Sequence, residues 1–242
     1  MLKVQNVASG YGKAVIIQDI NLEINPQELV TIIGPNGSGK STLLKSIAGL
    51  CRIFSGSIIY NDKEITGNPT SKMPSLGIGY VPQLNNVFPN LTIMENLEIA
   101  SLFLDEYQFE EGLARVFRIF PILEERKKYR AKSLSGGERQ MLALGRSIMT
   151  EPKLLLLDEP TAALAPVLVN EILQIVKDLK EKENIAILLV EQNARKSLEI
   201  SNRTYILVTG RIFKTGNSME ILNDPDIGQA FLGLRAGKKK AN

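Results

Sequence analysis

A glycine-rich segment between residues 34 and 42 has the residue types and the spacing of a phosphate-binding loop. It fits the pattern G-x-x-x-x-G-K-[ST]. Glycines let backbone N–H groups converge on phosphate oxygens, and a following helix points its positive N-terminus at the same place. Lys40 supplies a charge for the β- and γ-phosphates, and the hydroxyl of Ser41 is suited to hold Mg²⁺. The predicted nucleotide contacts are Gly34, Pro35, Asn36, Gly37, Ser38, Gly39, Lys40, Ser41 and Thr42.

Two carboxylates follow an apolar run later in the chain. Leu154–Leu157 is a strand-sized stretch of four leucines, and Asp158, Glu159 and Pro160 come directly after it. Such a strand is the expected partner of a phosphate-binding loop. Asp158 would hold Mg²⁺ through water, and Glu159 would orient and deprotonate the attacking water. The two motifs together predict hydrolysis of a nucleoside triphosphate.

The segment Leu134–Gln140 reads LSGGERQ and is a second candidate anion site. Ser135 and Glu138 form a capping box that opens a helix, and Gly136 and Gly137 leave backbone N–H groups open beside it. From the physics of the segment alone, a plain helix start is the favoured interpretation. A chain with two anion-binding helix starts for one nucleotide suggests a site that two chains build together.

Alternating strands and helices must position these motifs. Strands are predicted at Asp19–Ile24, Leu29–Ile33, Gly56–Tyr60, Gly77–Val81, Leu154–Leu157, Ile185–Val190, Tyr205–Val208 and Ile212–Lys214. Helices are predicted from Lys40 to Ala48, from Pro166 to Lys182 and from Ala194 onward. This alternation predicts an α/β fold in which helices cover both faces of a mostly parallel sheet, with short antiparallel strands at the N-terminus.

Residues 90 to 150 interrupt this alternation. The pattern is helical from Thr92 to about Phe120, and Thr92 and Glu95 form a capping box at its start. We therefore predict one domain. Its nucleotide-binding core covers 1–89 and 151–235, a helical subdomain covers 90–150, and a basic, disordered tail covers 236–242.

Composition excludes several classes of protein and of site. Of the 242 residues, 44% are apolar and 23% are charged, as in an ordinary globular protein. The chain has no histidine, so imidazole-based triads and histidine-ligated metal sites are excluded. Cys51 is its single cysteine, so no internal disulfide can form. We expect Cys51 to be a small buried apolar residue in a reducing compartment.

Charge and hydropathy bear on location. No apolar run is long enough to cross a bilayer, and Met1–Gly10 lacks the pattern of a signal peptide, so we expect a cytoplasmic protein. The net charge is +3, but four basic residues lie between Arg235 and Lys240, and the remaining chain is balanced. A balanced body does not indicate a nucleic-acid surface. The basic tail is interpreted as a solvated end, with an anionic membrane surface as the weaker alternative.

The order of the motifs is similar to that of the ATP-binding cassette ATPases over nearly the whole chain. The resemblance rests on the phosphate-binding loop, Gln83 within Tyr80-Val-Pro-Gln, LSGGERQ and LLLLDEP. It implies a P-loop NTPase fold, with ATP as the nucleotide and Mg²⁺ as its metal. In that family two cassettes meet head to tail, and the LSGG segment of one covers the γ-phosphate on the other.

The resemblance also implies roles for individual residues. Ser135, Gly136, Gly137 and Glu138 would contact ATP bound to the partner cassette. Gln83 would contact Mg²⁺ and the attacking water, and would link them to the helical segment that touches a membrane partner. Tyr11 matches the aromatic residue that stacks on adenine, with a tyrosine at a strand edge as the weaker alternative.

Two positions depart from the usual family pattern. Ala165 stands where an aspartate is usual, and Gln192 stands where a switch histidine is usual. The resemblance implies a catalytic role for Gln192, whose amide can donate the histidine's hydrogen bond to the γ-phosphate but does not titrate. The surrounding L-A-P and V-E-Q-N-A segments resemble one ATPase subunit of branched-chain amino-acid importers, as does the ending from Asn223 to Gly233. Urea and amide importers share these features and remain the alternative.

The importer resemblance implies a set of partners. They are two membrane permeases, a second cassette ATPase and, indirectly, an extracytoplasmic solute-binding protein, with the chain on the cytoplasmic face of the membrane. A mixed dimer is favoured over a homodimer, because a homodimer would lack both the aspartate and the histidine in each site.

Three other classes of cassette protein or nucleotide-binding module fit less well. Chromosome-associated cassettes need a long coiled coil between their two halves, and tandem translation factors need two phosphate-binding loops. Neither feature occurs here. A regulatory module without hydrolysis would not need Glu159.

Overall fold

Ten strands and eight α-helices occur in residues 1–227, the part of the chain that the computed structural model describes. The strands are β1 Leu2–Tyr11, β2 Ala14–Ile24, β3 Leu29–Ile33, β4 Arg52–Tyr60, β5 Lys63–Glu64, β6 Ile78–Val81, β7 Leu154–Asp158, β8 Ala186–Val190, β9 Arg203–Val208 and β10 Arg211–Asn217. The helices are α1 Lys40–Ile47, α2 Ile93–Ala100, α3 Glu106–Ile119, α4 Pro121–Glu125, α5 Gly136–Ile148, α6 Pro166–Lys182, α7 Ala194–Ile200 and α8 Ser218–Asn223. The basic tail and the end of the segment from Asn223 to Gly233 lie outside the described residues.

The larger sheet has six strands in the order β10-β9-β3-β8-β7-β6. Its five strands from β9 to β6 are parallel, and β10 pairs with β9 in the antiparallel sense. This arrangement confirms the predicted α/β fold with a mostly parallel sheet. Every residue of β3, β7 and β8 is buried, which explains why these strands are predominantly apolar and lack a regular polar alternation.

Successive residues of the parallel strands supply two different cores, because neighbouring side chains in a strand point to opposite faces. Leu155 and Leu157 pack with the helices of residues 93–179, whereas Leu154 and Leu156 pack with α1 and the N-terminal sheet. The sheet is thus covered on both faces, and only its edges and strand ends remain available for a site.

The N-terminal sheet is antiparallel, with the order β2-β1-β4-β5. These strands are longer than predicted, so the predicted lengths were wrong. β1 has 10 residues and β2 has 11, so the predicted Asp19–Ile24 is only the second half of β2. The alternation is interrupted at Asp19, whose φ of 55° belongs to a bulge where the register with β1 shifts.

All regular structure between residues 90 and 150 is helical. The capping boxes at Thr92 and Ser135 form as predicted. The helical pattern is not continuous to Phe120, however, because α2 ends at Ala100 and a further capping box at Asp105 starts α3. The division into a core at 1–89 and 151–235 and a helical subdomain at 90–150 stays a prediction.

Two further observations concern exposure. Cys51 is partly exposed, so the expected burial was wrong; it lies in the turn that leaves α1 after Gly49. Within residues 1–227, no helix is long and apolar enough to cross a membrane.

Candidate active site

Four neighbouring strands deliver the predicted site residues to one edge of the parallel sheet. β3 leads into the glycine-rich loop, β7 ends at Asp158, β8 is followed by Gln192, and β6 leads to Gln83. Because neighbouring parallel strands have their carboxyl-terminal ends on the same side of the sheet, residues that are far apart in sequence meet there.

The glycine-rich loop wraps around the start of α1. Gly39 caps this helix with a φ of 101°, and a Cβ at this position would lie 2.5 Å from Cγ2 of Ile17. The Lys40 ammonium is buried and donates to the carbonyls of Gly34 and Pro35 at 3.0 and 3.1 Å. Burial lowers the pKa of Lys40, and the nearby carboxylates of Glu159 and Asp158 oppose this shift.

Asp158 and Ser41 are in direct contact. The Ser41 hydroxyl donates to Oδ1 of Asp158 at 2.8 Å. Burial raises the pKa of Asp158, and the hydrogen bond from Ser41 and the charges of Lys45 and Lys40 act in the opposite direction. Two hard oxygen donors lie side by side here, which fits Mg²⁺, because that ion takes one or two protein oxygens and keeps the rest of its shell for phosphates and water.

Glu159 accepts hydrogen bonds from both predicted glutamines, Gln83 and Gln192. Gln83 donates from Nε2 to Oε2 of Glu159 at 2.7 Å, and Gln192 donates from Nε2 to the same oxygen at 2.6 Å. Glu159 is only 7% exposed and has a φ of 48°, an uncommon value for a residue with a side chain. The Glu159 carboxylate is therefore held between two amide donors in the turn after β7.

These groups line one open cavity of about 300 Å³. Its walls are formed by Ile16, Asn36, Gly37, Gly39, Lys40, Ser41, Thr42, Gln83, Glu159 and Gln192. Most of the predicted nucleotide and catalytic residues are thus brought together. Tyr11 is 47% exposed and lies outside this set, at the end of β1, so its contact with adenine stays a prediction.

The LSGG segment does not reach this cavity within the same chain. Ser135 accepts from the N–H of Glu138, and the Glu138 carboxylate accepts from the N–H of Ser135. This second contact lowers the pKa of Glu138, which also pairs with Arg126 at 2.7 Å. Gly136 instead lines a separate cavity of about 520 Å³ beside Gln83.

Three features in or near the site were not found from the sequence. Ile16 offers an apolar wall beside the loop glycines, but nothing in its local pattern distinguishes it from other strand residues. Glu191 is 2% exposed beside Gln192, and its place directly after an apolar strand, like that of Asp158, was the available signal. Asn86 and Arg146 join the loop after Gln83 to α5 through a 2.5 Å hydrogen bond.

The two positions that depart from the family pattern, Gln192 and Ala165, lie in different surroundings. Gln192 lies in the cavity with Glu159. Ala165 is the N-cap residue of α6, which therefore begins without a side-chain cap and with Pro166 in its first turn.

Residues 17–162 match the family described as ABC transporter. The chain is 41% identical to the high-affinity branched-chain amino acid transport ATP-binding protein BraG of Pseudomonas aeruginosa, over 96% of this chain and 100% of BraG. It is 40% identical to the probable branched-chain amino acid transport ATP-binding protein LivF of Archaeoglobus fulgidus, over 97% and 99% of the two chains. Identity is 33% to the lipopolysaccharide export ATP-binding protein LptB of Haemophilus influenzae, over 96% and 97%.

Solved structures give the same relationship. A nucleotide-free ATP-binding cassette of an ABC transporter superposes with a TM-score of 0.84 at 28% identity, over 95% of this chain and 98% of the other. A dimeric cassette in a post-hydrolysis state, bound to ADP and Pi, superposes with a TM-score of 0.77 at 26% identity, over 90% and 99%.

Proposed function

The chain belongs to the ABC transporter family of ATP-hydrolysing cassettes, and we propose that it is the ATPase subunit of a membrane importer of branched-chain amino acids. The observation that supports hydrolysis is the contact of Gln83 and Gln192 with one oxygen of Glu159, beside Lys40. The observation that supports the proposed identity of the solute is the near full-length similarity to BraG and LivF, two proteins of branched-chain amino acid transport.

The proposed chemistry divides between binding and proton transfer. The glycine-rich loop binds the phosphates through its N–H groups, and Lys40 exchanges its two carbonyl contacts for phosphate oxygens. The buried Ser38 hydroxyl has no hydrogen-bond partner among the described residues, which favours an incoming acceptor there. Glu159 accepts the proton of the attacking water, while Gln83 and Gln192 orient that water.

Mg²⁺ would be held by Ser41, Asp158 and Gln83. When bound, the ion would neutralise charge on the β- and γ-phosphates. Lys40 adds a second positive charge on the side of the loop.

The LSGG segment is proposed to act on a partner cassette. Within the described chain, Ser135 and Gly136 are exposed and lie outside the cavity that contains Lys40, so they are accessible to a nucleotide held by another subunit, whereas Gly137 is buried. We favour a mixed dimer, because Ala165 and Gln192 would deprive a homodimer of the aspartate and the histidine in both sites.

A groove of about 280 Å³ is the proposed contact with a permease. It lies between the β6 edge and the helices, where Tyr80, Asn86, Ala100 and Arg146 line its walls. Arg146 donates to the carbonyl of Asn86 and lies over the Phe88 ring at 4.7 Å. A permease in this groove would therefore contact the loop that carries Gln83, and the chain would sit on the cytoplasmic face of the membrane.

Uptake by the assembled transporter tests the solute. The complex is purified through a tag on this chain, reconstituted in vesicles with its binding protein, and given ATP on the cassette side. We expect ATP-dependent accumulation of labelled leucine, isoleucine and valine, and none when Lys40→Ala replaces the wild type. Accumulation of urea or an amide without these amino acids would contradict the proposed solute, and co-purification with lipopolysaccharide-export components would contradict import.

A further inference from the structure

Glu191 is a buried carboxylate that has no role in the proposed chemistry. It follows β8 directly and is 2% exposed. Burial raises its pKa, and hydrogen bonds from the Thr161 side chain and from neighbouring backbone N–H groups act against this shift. Removing a carboxylate from water costs free energy unless hydrogen bonds offset it, so the partners of Glu191 indicate what the residue does at this position.

The two oxygens of Glu191 hold two different segments. Oε1 accepts from the backbone N–H of Thr161 at 2.9 Å, and Oε2 accepts from the backbone N–H of Gln192 at 3.1 Å. Thr161 lies two residues after Glu159. One carboxylate therefore joins the segment that carries the proposed base to the segment that carries the proposed amide donor.

Glu191 joins these two segments just beyond the last paired residues of β7 and β8. The ladder between β7 and β8 runs as far as the pair Asp158 and Val190, and the N–H of Glu159 still donates to the carbonyl of Val190 at 2.9 Å. Beyond that bond the segment after β7 turns, and its residues Glu159 and Ala163 have positive φ values, 48° and 60°. Such turns persist when surrounding contacts hold them.

We propose that Glu191 is a positioning residue for ATP hydrolysis, which holds Gln192 within hydrogen-bond distance of Glu159. The inference rests on the proposed roles of Glu159 and Gln192. A carboxylate accepts at both oxygens, whereas an amide accepts at one and presents an N–H₂ group to the other backbone donor. Glu191→Gln preserves the size of the side chain and breaks one of the two connections.

The test measures ATP turnover by the assembled complex. In Glu191→Gln we expect kcat to fall about tenfold with KM for ATP changed less than about twofold, because displacing a positioned group slows the chemical step. Glu28→Gln is the matched control, since Glu28 is a partly buried carboxylate that pairs with Arg203 at 2.8 Å, away from the site. It should lower the melting temperature and leave kcat unchanged.

The same change in a Gln192→Ala background separates positioning from a general effect on folding. There the residue to be positioned is absent, so Glu191→Gln should change kcat less than about twofold. An equal loss in both backgrounds, or a lower melting temperature with normal kcat, would overturn the inference. Glu191→Asp, one methylene shorter, should give an intermediate loss and serves if the glutamine variant does not fold.

Failure of the inference differs from failure of the proposed function. If Gln192→Ala lowers kcat and the folded Glu191 variants do not, the positioning role alone is wrong. If Gln192→Ala leaves kcat unchanged, the proposed role of Gln192 is wrong and the positioning role falls with it. Normal turnover in Glu159→Gln would reject the proposed base.

Discussion

Gln192→Ala removes one of the two amide donors that contact Oε2 of Glu159. The lost contact is a 2.6 Å hydrogen bond to a carboxylate, and bonds to charged groups contribute about 1.5–3 kcal/mol. Gln192 is itself exposed, so solvent screens the bond and the lower end of the range applies. When ATP is bound, the same amide is proposed to donate to the attacking water, and losing about 1.5 kcal/mol of this stabilisation in the transition state corresponds to a fall in kcat of about tenfold.

Steady-state ATP turnover by the assembled complex measures this effect, with nucleotide affinity measured separately by titration. Affinity should change little, because Lys40 and the loop N–H groups are untouched. Gln174→Ala is the control, since Gln174 is also a glutamine whose Nε2 donates to a carboxylate, Asp178, at 2.8 Å, on the surface of α6. We expect normal turnover in the control.

Unchanged turnover in Gln192→Ala would refute the reasoning. It would mean that Gln192 makes no contact with the reacting groups in the rate-limiting step. Gln83→Ala offers a comparison, because it removes the other donor to the same oxygen at 2.7 Å and should have an effect of similar size.

Four further predictions concern the same site. Glu159→Gln should retain ATP binding while phosphate release falls by about 100-fold or more, the scale of a lost general base; near-normal release would remove Glu159 from the mechanism. Lys40→Ala should raise the dissociation constant for ATP about tenfold, measured with a fluorescent nucleotide, and unchanged affinity would contradict its phosphate contact. Gln192→His should keep activity and add a pH dependence with a midpoint near about 6.5; profiles that superimpose would show that position 192 does not face the reaction. Light scattering should find the isolated chain monomeric without nucleotide and dimeric with ATP in Glu159→Gln, and a stable nucleotide-free dimer would contradict an interface joined by the triphosphate.

Local sequence predicted those features correctly that depend only on residues close together in the chain. The capping boxes at Thr92 and Ser135 depend on residues three positions apart, and α6 begins and ends where the sequence indicates. The alternation of polar and apolar residues did not predict the full length of β2. The bulge at Asp19 interrupts that alternation, and it depends on pairing with β1, a partner that the local pattern does not identify.

The order of the residues along the chain already predicts which chemical groups this protein uses: a glycine-rich loop with Lys40, a strand ending in Asp158 and Glu159, and the motif order of the ABC family. Which of these groups meet depends on the tertiary fold. Gln83 and Gln192 lie 76 and 33 positions from Glu159, and they reach the same oxygen because β6 and β8 flank β7 in the sheet. The order of strands in a parallel sheet follows from crossover connections and from packing on both faces, which are long-range properties that no single segment contains.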